Sequence, residues 1–260
     1  MNIRIALGLT AAAVTMTACG DGLEYVSFAD GTSTAVSALT GQSLDSSAHT
    51  TSQLSGELDR AANTFELGSL DGSIDLARTT VTLTGGGVVD LTGTADFARF
   101  YVAQPTVGNQ TRGVVGVSTV TYNVPVTGTA SYTGASQVRI QDGLNFYELQ
   151  GTVAATADFA AGTLDVTLDD LDGTQTFIGV TNVTDVATIT IADAVISGNT
   201  ASGGTSTLVS ATINGGAGFS GTQTTLHEAG FYGPYADEVG GVLDIVDTAT
   251  FTVSGEYIGD

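Results

Sequence analysis

From Val124 to the end of the chain, apolar and hydroxyl-bearing residues alternate with a period of two, and no other feature restricts the fold as strongly. Val124, Val126, Gly128, Ala130 and Tyr132 share one face, with Asn123, Pro125, Thr127, Thr129 and Ser131 on the other. The pattern recurs in Val153, Ala155, Ala157 and Phe159, in Leu164-Asp165-Val166-Thr167-Leu168, in Ala187, Ile189 and Ile191, and in Val209, Ala211 and Ile213. A helix would need apolar residues every three or four positions, and long runs of that kind are scarce. The spacing predicts eight strands near 124–133, 151–159, 162–169, 186–196, 206–213, 217–226, 239–246 and 249–258, the last two joined at Asp247-Thr248. Eight antiparallel strands on short hairpins expose two raw edges unless they close, so residues 122–260 are expected to form an eight-stranded antiparallel β-barrel. Small inward candidates at Ala155, Ala157, Ala187 and Ala211 imply a narrow lumen packed by Phe and Leu. Because the outer face is Thr, Ser and Asp, lipid is not its expected surroundings.

The preceding stretch, 19–121, is strand-rich but less regular, which makes the whole chain all-β. Strands are expected at Tyr25 to Phe28, Thr34 to Leu39, Thr64 to Leu70, Thr79 to Thr84, Val88 to Thr92 and Phe97 to Ala103. Gly85-Gly86-Gly87 reads as a hairpin loop, and Asp30-Gly31 and Asp71-Gly72 read as turns. Gln53 to Ala62 also admits a short helix capped by Ser52, with Glu57 and Arg60 exposed.

Residues 1–18 carry one cation, Arg4, an apolar run from Ile5 to Val14, and small residues before Cys19. That is a signal peptide, too short in its apolar part for a membrane span of about 20 residues. Met16-Thr17-Ala18-Cys19 resembles a lipobox, which makes Cys19, the single cysteine, the expected site of lipidation. No internal disulfide is then available, and stability must come from apolar burial. The chain holds 6 Lys+Arg, all of them Arg, against 27 Asp+Glu, for a net charge of −21. Such a surface repels phosphate backbones, so nucleic-acid partners are not expected, and membrane contact is expected only through the lipid.

One stretch is less generic than the rest. In Ala229-Gly230-Phe231-Tyr232-Gly233-Pro234-Tyr235-Ala236-Asp237-Glu238-Val239-Gly240-Gly241, a strand stops at Gly-Pro, Pro234 opens a helical turn over Tyr235 to Glu238, and Gly240-Gly241 release the next strand. It resembles the barrel motif of the transferrin-binding protein B family of surface lipoproteins, F-Y-G-P-x-A-x-E-x-G-G. Supporting segments are Gly128-Thr129-Ala130-Ser131-Tyr132-Thr133-Gly134, Thr156-Ala157-Asp158-Phe159-Ala160-Ala161-Gly162, Gly216-Ala217-Gly218-Phe219-Ser220-Gly221 and Gly255-Glu256-Tyr257-Ile258-Gly259. The resemblance implies a single-lobe relative in which a strand-rich "handle" precedes the barrel, on the outer membrane or cell surface and possessing no enzymatic activity or cofactor. Phe231, Tyr232, Gly233, Pro234, Glu238, Gly240 and Gly241 are read as structural, because a carboxylate such as Glu238 beside a capping turn is expected to bond backbone N–H groups locally; transferrin itself is not implied, since the family's ligand contacts lie in loops outside these motifs. The implied partner is a protein, haem or a small solute.

Candidates for chemistry are few. Asp169, Asp170 and Asp172, followed by Gly173, offer three carboxylates suited to a hard cation such as calcium, although the distal Glu of a twelve-residue calcium loop is missing. His49 and His227 have no metal-ligand spacing to other donors, and His227 is expected in an exposed loop. No Gly-x-Ser-x-Gly elbow occurs. Two functions follow: an envelope lipoprotein that captures a ligand through barrel loops, or an adhesive or structural envelope protein with no soluble ligand.

Overall fold

The structure, a computed structural model, describes residues 25–28, 30, 32–219, 223–248 and 251–260. Cys19 and the signal peptide lie outside the described residues, as does Gly31 of the expected Asp30-Gly31 turn.

The first half is itself a closed barrel. Strands β1 (Val36–Asp45), β2 (Thr50–Asp59), β3 (Thr64–Leu67), β4 (Leu70–Ile74), β5 (Thr80–Leu83), β6 (Gly87–Thr92), β7 (Ala98–Pro105) and β8 (Thr111–Val117) follow one another around it, and β8 closes on β1. Short connections make every neighbour antiparallel. Leu39, Leu58, Phe65, Leu67, Val81, Val89, Tyr101 and Val115 fill the interior. Three sequence expectations change here. Gln53 to Ala62 is mostly β2, and Arg60 is buried although Glu57 is exposed as expected. Asp71-Gly72 lies within β4, the reversal falling instead at Gly68, where φ is +60°. Tyr25 to Phe28 forms no strand, and it packs onto the end of the barrel.

The second half closes as eight staves. They are β9 (Thr129–Asp142), β10 (Asn145–Asp158), β11 (Thr163–Thr176), β13 (Thr188–Ser197), the broken stave β14 (Thr200–Ser202) plus β15 (Thr205–Val209), β16 (Thr224–Tyr232), β17 (Glu238–Thr248) and β18 (Phe251–Gly259). A short extra strand, β12 (Val180–Val183), pairs only with the outer part of β11. The circle is completed by β18 against β9 and by β11 against β13. Its lumen is packed by Leu149, Val153, Leu164, Val166, Ile189, Phe231, Leu243, Val253 and Tyr257, as the small inward residues Ala155, Ala157 and Ala187 led one to expect.

Three details of the predicted strands differ. The segment around Val126 is bent and unpaired, because Pro125 lacks a donor and Gly128 turns with φ +84°; Val126 is exposed, and β9 starts only at Thr129. Ala211 is exposed, and Ile213 is buried in a 3-10 turn, Ile213–Gly216. In β15 it is Ser206 and Leu208 that point inward, while Val209 faces out, one residue out of phase with the expectation.

Candidate functional site

The family motif lies at the seam where the two barrels meet. Strands β16, β17 and β18 present their outer faces to β1, β2, β7 and β8. Parity decides which side chains cross: along β17, Val239, Leu243 and Ile245 point into the lumen, so Glu238, Gly240, Val242 and Asp244 point toward the other barrel.

Tyr232 is wholly buried in the seam and clusters with Ala98, Phe100, Val114 and Ile258. Its hydroxyl donates to Gln42 Oε1. The ring lies flat on backbone: a Cβ at Gly116 would fall 2.2 Å from Tyr232 Cδ1, and one at Gly240 would fall 2.7 Å from Val114 Cγ1. Glycine at both places lets the sheets come together around a large aromatic. Glu238 reaches the same seam. Its Oε1 accepts from the backbone N–H of Asp96 at 2.6 Å and of Phe97 at 2.9 Å. Those donors belong to the β6–β7 connection of the other barrel, so the carboxylate does bond backbone N–H groups, but across 142 positions of sequence rather than locally. Burial pushes the Glu238 carboxyl up to about 7, against the pull of those N–H groups.

The turn between β16 and β17 completes the lock. It occupies Gly233–Ala236, with φ +81° at Gly233 and +61° at Ala236, and is not a helical turn; Glu238 already belongs to β17. Gly233 N–H donates to Val117 O at 3.0 Å, the Thr119 hydroxyl donates to Gly233 O at 2.7 Å, and Thr119 N–H donates to Phe231 O at 3.0 Å. Phe231 turns the other way, into the lumen, against Phe159 and Tyr132. Tyr132 returns its hydroxyl to Ala236 O at 2.8 Å.

Further along, the seam is polar. Glu256, buried on β18, has Arg112 at 3.6 Å and Arg139 at 3.7 Å, yet desolvation holds its carboxyl up at about 7. Asp244 meets His49 Nδ1 at 3.0 Å. The contacts of Glu238 and of His49 sit at opposite ends of the first barrel, so the two barrels lie side by side along their length.

A second constellation holds the leading segment. Arg60 donates to the Ser37 hydroxyl at 2.6 Å and to Val26 O at 2.8 Å, while Arg78 donates to Phe28 O at 3.1 Å and to Asp30 O. Arg99 sits 5.3 Å over the Phe28 ring. Residues 25–28 and Asp30 therefore cap one end of the first barrel.

The three aspartates are not brought together. Asp169 accepts from the Thr188 hydroxyl at 2.7 Å, Asp172 accepts from Asp185 N–H at 2.7 Å, and Asp170, with φ +51°, stands at the bulge between Gln150 and Thr152. Among the described residues no group of three or more His, Cys, Asp or Glu is arranged to hold a metal ion. The stretch lies inside β11 rather than in a loop, and Gly173 is required by close approach: a Cβ there would meet Glu148 O at 2.0 Å. His227 is buried, not exposed; its Nε2 lies 2.8 Å from the Tyr257 hydroxyl and its Nδ1 lies 3.1 Å from Gly203 O. Desolvation lowers it to about 4, which leaves a neutral ring at physiological pH. Gln42, Gly116 and Thr119 were missed from sequence, since nothing in their local pattern marks a contact so distant.

Two closed antiparallel barrels joined side by side through a Phe-Tyr-Gly-Pro turn define the chain as a two-barrel lobe. The chain belongs to the family of the C-lobe and N-lobe beta barrels of Tf-binding protein B, which it matches over residues 124–257. Among solved structures it is similar to transferrin binding protein B from Haemophilus parasuis Hp5, with 18% identity over 85% of this chain and 44% of that one and a TM-score of 0.57. It is also similar to intact Ap-TbpB, with N and C lobes, at 18% identity, 85% and 45% coverage and a TM-score of 0.52. Isotype 1 TbpB from serogroup B Neisseria meningitidis gives 16%, 85%, 43% and 0.52. The chain thus spans less than half the length of these proteins, and at such identities the likeness is one of fold. No curated protein matches it.

Proposed function

We propose that this protein is a lipid-anchored capture module of the outer membrane or cell surface, which binds a protein, or failing that haem or a small solute, through loops at the ends of its barrels. The observation that supports this most is the interlocked pair of barrels in a Tf-binding protein B family chain, since a rigid double platform fixes loop positions in space. The proposed division is a signal peptide at 1–18, a handle-like part at 19–121 and the family barrel at 122–260. Lipid on Cys19 would attach the chain through residues 20–24, just before the segment clasped by Arg60, Arg78 and Arg99. Asp169, Asp170 and Asp172 have no part in this reading.

Mature protein lacking Cys19 should bind transferrin, haemoglobin or haem saturably when each is passed over it in a biosensor. Binding only to cells or to itself would replace capture with adhesion. Full-length protein should incorporate labelled palmitate and partition into detergent, and Cys19→Ser should abolish both; an unmodified, water-soluble product would remove the anchor from the proposal.

A further inference from the structure

We propose that the tips of the β9–β10 and β11–β12 hairpins form a docking surface for an extended, basic segment of a protein partner; its orientation rests on the anchored-capture reading above. Five large apolar side chains stand out there: Leu144 is 80% exposed, Phe146 40%, Phe177 53%, Ile178 90% and Val180 71%. The pairings bring them together. Asn145 opposite Asp142 leaves the two-residue loop Gly143-Leu144, and Thr176 opposite Val180 leaves Phe177-Ile178-Gly179. Phe146 pairs with Thr176 and Thr176 with Val180, so Phe146 and Val180 flank one threonine on the same outer face, about 10 Å apart at the usual strand spacing. Other large apolar side chains are exposed elsewhere, among them Leu76, Val107 and Val209, but five gathered at two adjacent tips mark an interaction site.

The neighbouring backbone and charge identify the occupant. β12 pairs only with β11, which leaves its other edge open, and Val180-Thr181-Asn182-Val183 carries neither the lysine nor the proline that commonly blunts such an edge. An added strand could continue the sheet there. Asp172 and Asp185 are exposed around it, while Glu148, also exposed, has Arg139 Nε at 3.8 Å. No compensating cation is exposed among the described residues: Arg60, Arg78, Arg99, Arg112 and Arg139 are buried or half-buried, and the chain has no lysine. A second copy of the chain would bring like charge to like, as would an anionic bilayer. A strand carrying apolar side chains flanked by Lys or Arg satisfies both the greasy tips and the acidic border. The location agrees: the two tips lie at the end of the molecule opposite residues 25–28, the first described residues after the proposed anchor.

The test uses mature protein without Cys19, titrated with a synthetic peptide in which Val and Phe alternate with Lys. Controls are the same peptide with Glu for Lys, anionic phospholipid vesicles, and the protein alone in the ultracentrifuge. The variant Phe146→Ser, Ile178→Ser, Val180→Ser changes exposed positions only, and its circular dichroism should match the parent's. The lysine peptide is expected to bind saturably and to weaken with salt, and the variant to lose ~10-fold or more in affinity. Unchanged affinity in the variant, equal binding of the glutamate peptide, vesicle insertion through the tips, or self-association lost in the variant would each overturn the proposal. Transferrin or haemoglobin binding that survives the triple substitution would overturn the docking surface and leave the capture reading standing. Patch-dependent peptide binding without any captured protein would support the surface and count against that reading.

Discussion

Glu238 and Glu256 are carboxylates buried between two sheets, and their titration makes the seam sensitive to pH. Each rises from an ordinary 4.5 to about 7 because desolvation outweighs the N–H groups or arginines beside it. A raised carboxyl pKa means that the folded state holds a proton the unfolded chain has lost. The contribution is therefore complete below about 4.5 and disappears as pH rises through about 7. Urea unfolding should show stability falling by on the order of 2 kcal/mol between pH 5 and 8, and Glu238→Gln with Glu256→Gln should flatten that slope. Tyr232 supplies a second test. Tyr232→Phe removes only the hydroxyl donated to Gln42 and should cost about 1 kcal/mol, whereas Tyr232→Ala leaves a cavity and should cost about 3–5 kcal/mol in thermal melts. Gly116→Ala should resemble the larger loss, since its methyl would enter the Tyr232 ring.

Among the elements, the broken stave β14–β15 shows what periodicity can and cannot reveal. Gly203 and Gly204 have φ of +74° and +100°, and this kink changes the phase of the residues that follow. The alternation Val209, Ala211, Ile213 was real in sequence, but Ser206 and Leu208 took the inward positions because the kink, not hydrophobicity, set which side chains turn in, while pairing with β13 keeps one register through it. Gly204→Ala would place a Cβ 2.7 Å from Ile191 Cγ2 and 2.8 Å from Ala192 O. It should cost about 1–3 kcal/mol and accelerate amide exchange across Thr205–Val209. The outer halves of β10 and β11 were similarly hidden. Phe146 is apolar yet points out, which weakens the alternation just where the hairpins present their tips.

At the scale of the whole molecule, the seam makes two barrels behave as one body. Calorimetry should record a single endotherm for the parent protein, and replacing Tyr232 and Glu238 together by alanine should split it into two, one for each barrel. A single endotherm for the double variant would show that the motif contributes little to their coupling. Alternation from Val124 onward, a glycine-rich and lysine-free composition and the Phe-Tyr-Gly-Pro stretch determined by themselves an all-β chain, a closed second barrel and its family, because strand faces and turns are written in local order. Only the tertiary structure decided that the first half closes too, that Glu238 and Tyr232 serve a partner barrel, that the three aspartates stay apart, and that apolar tips gather at one end. Those outcomes depend on contacts between residues up to nearly two hundred positions apart, and a pattern of period two carries no information about which outer face will meet which.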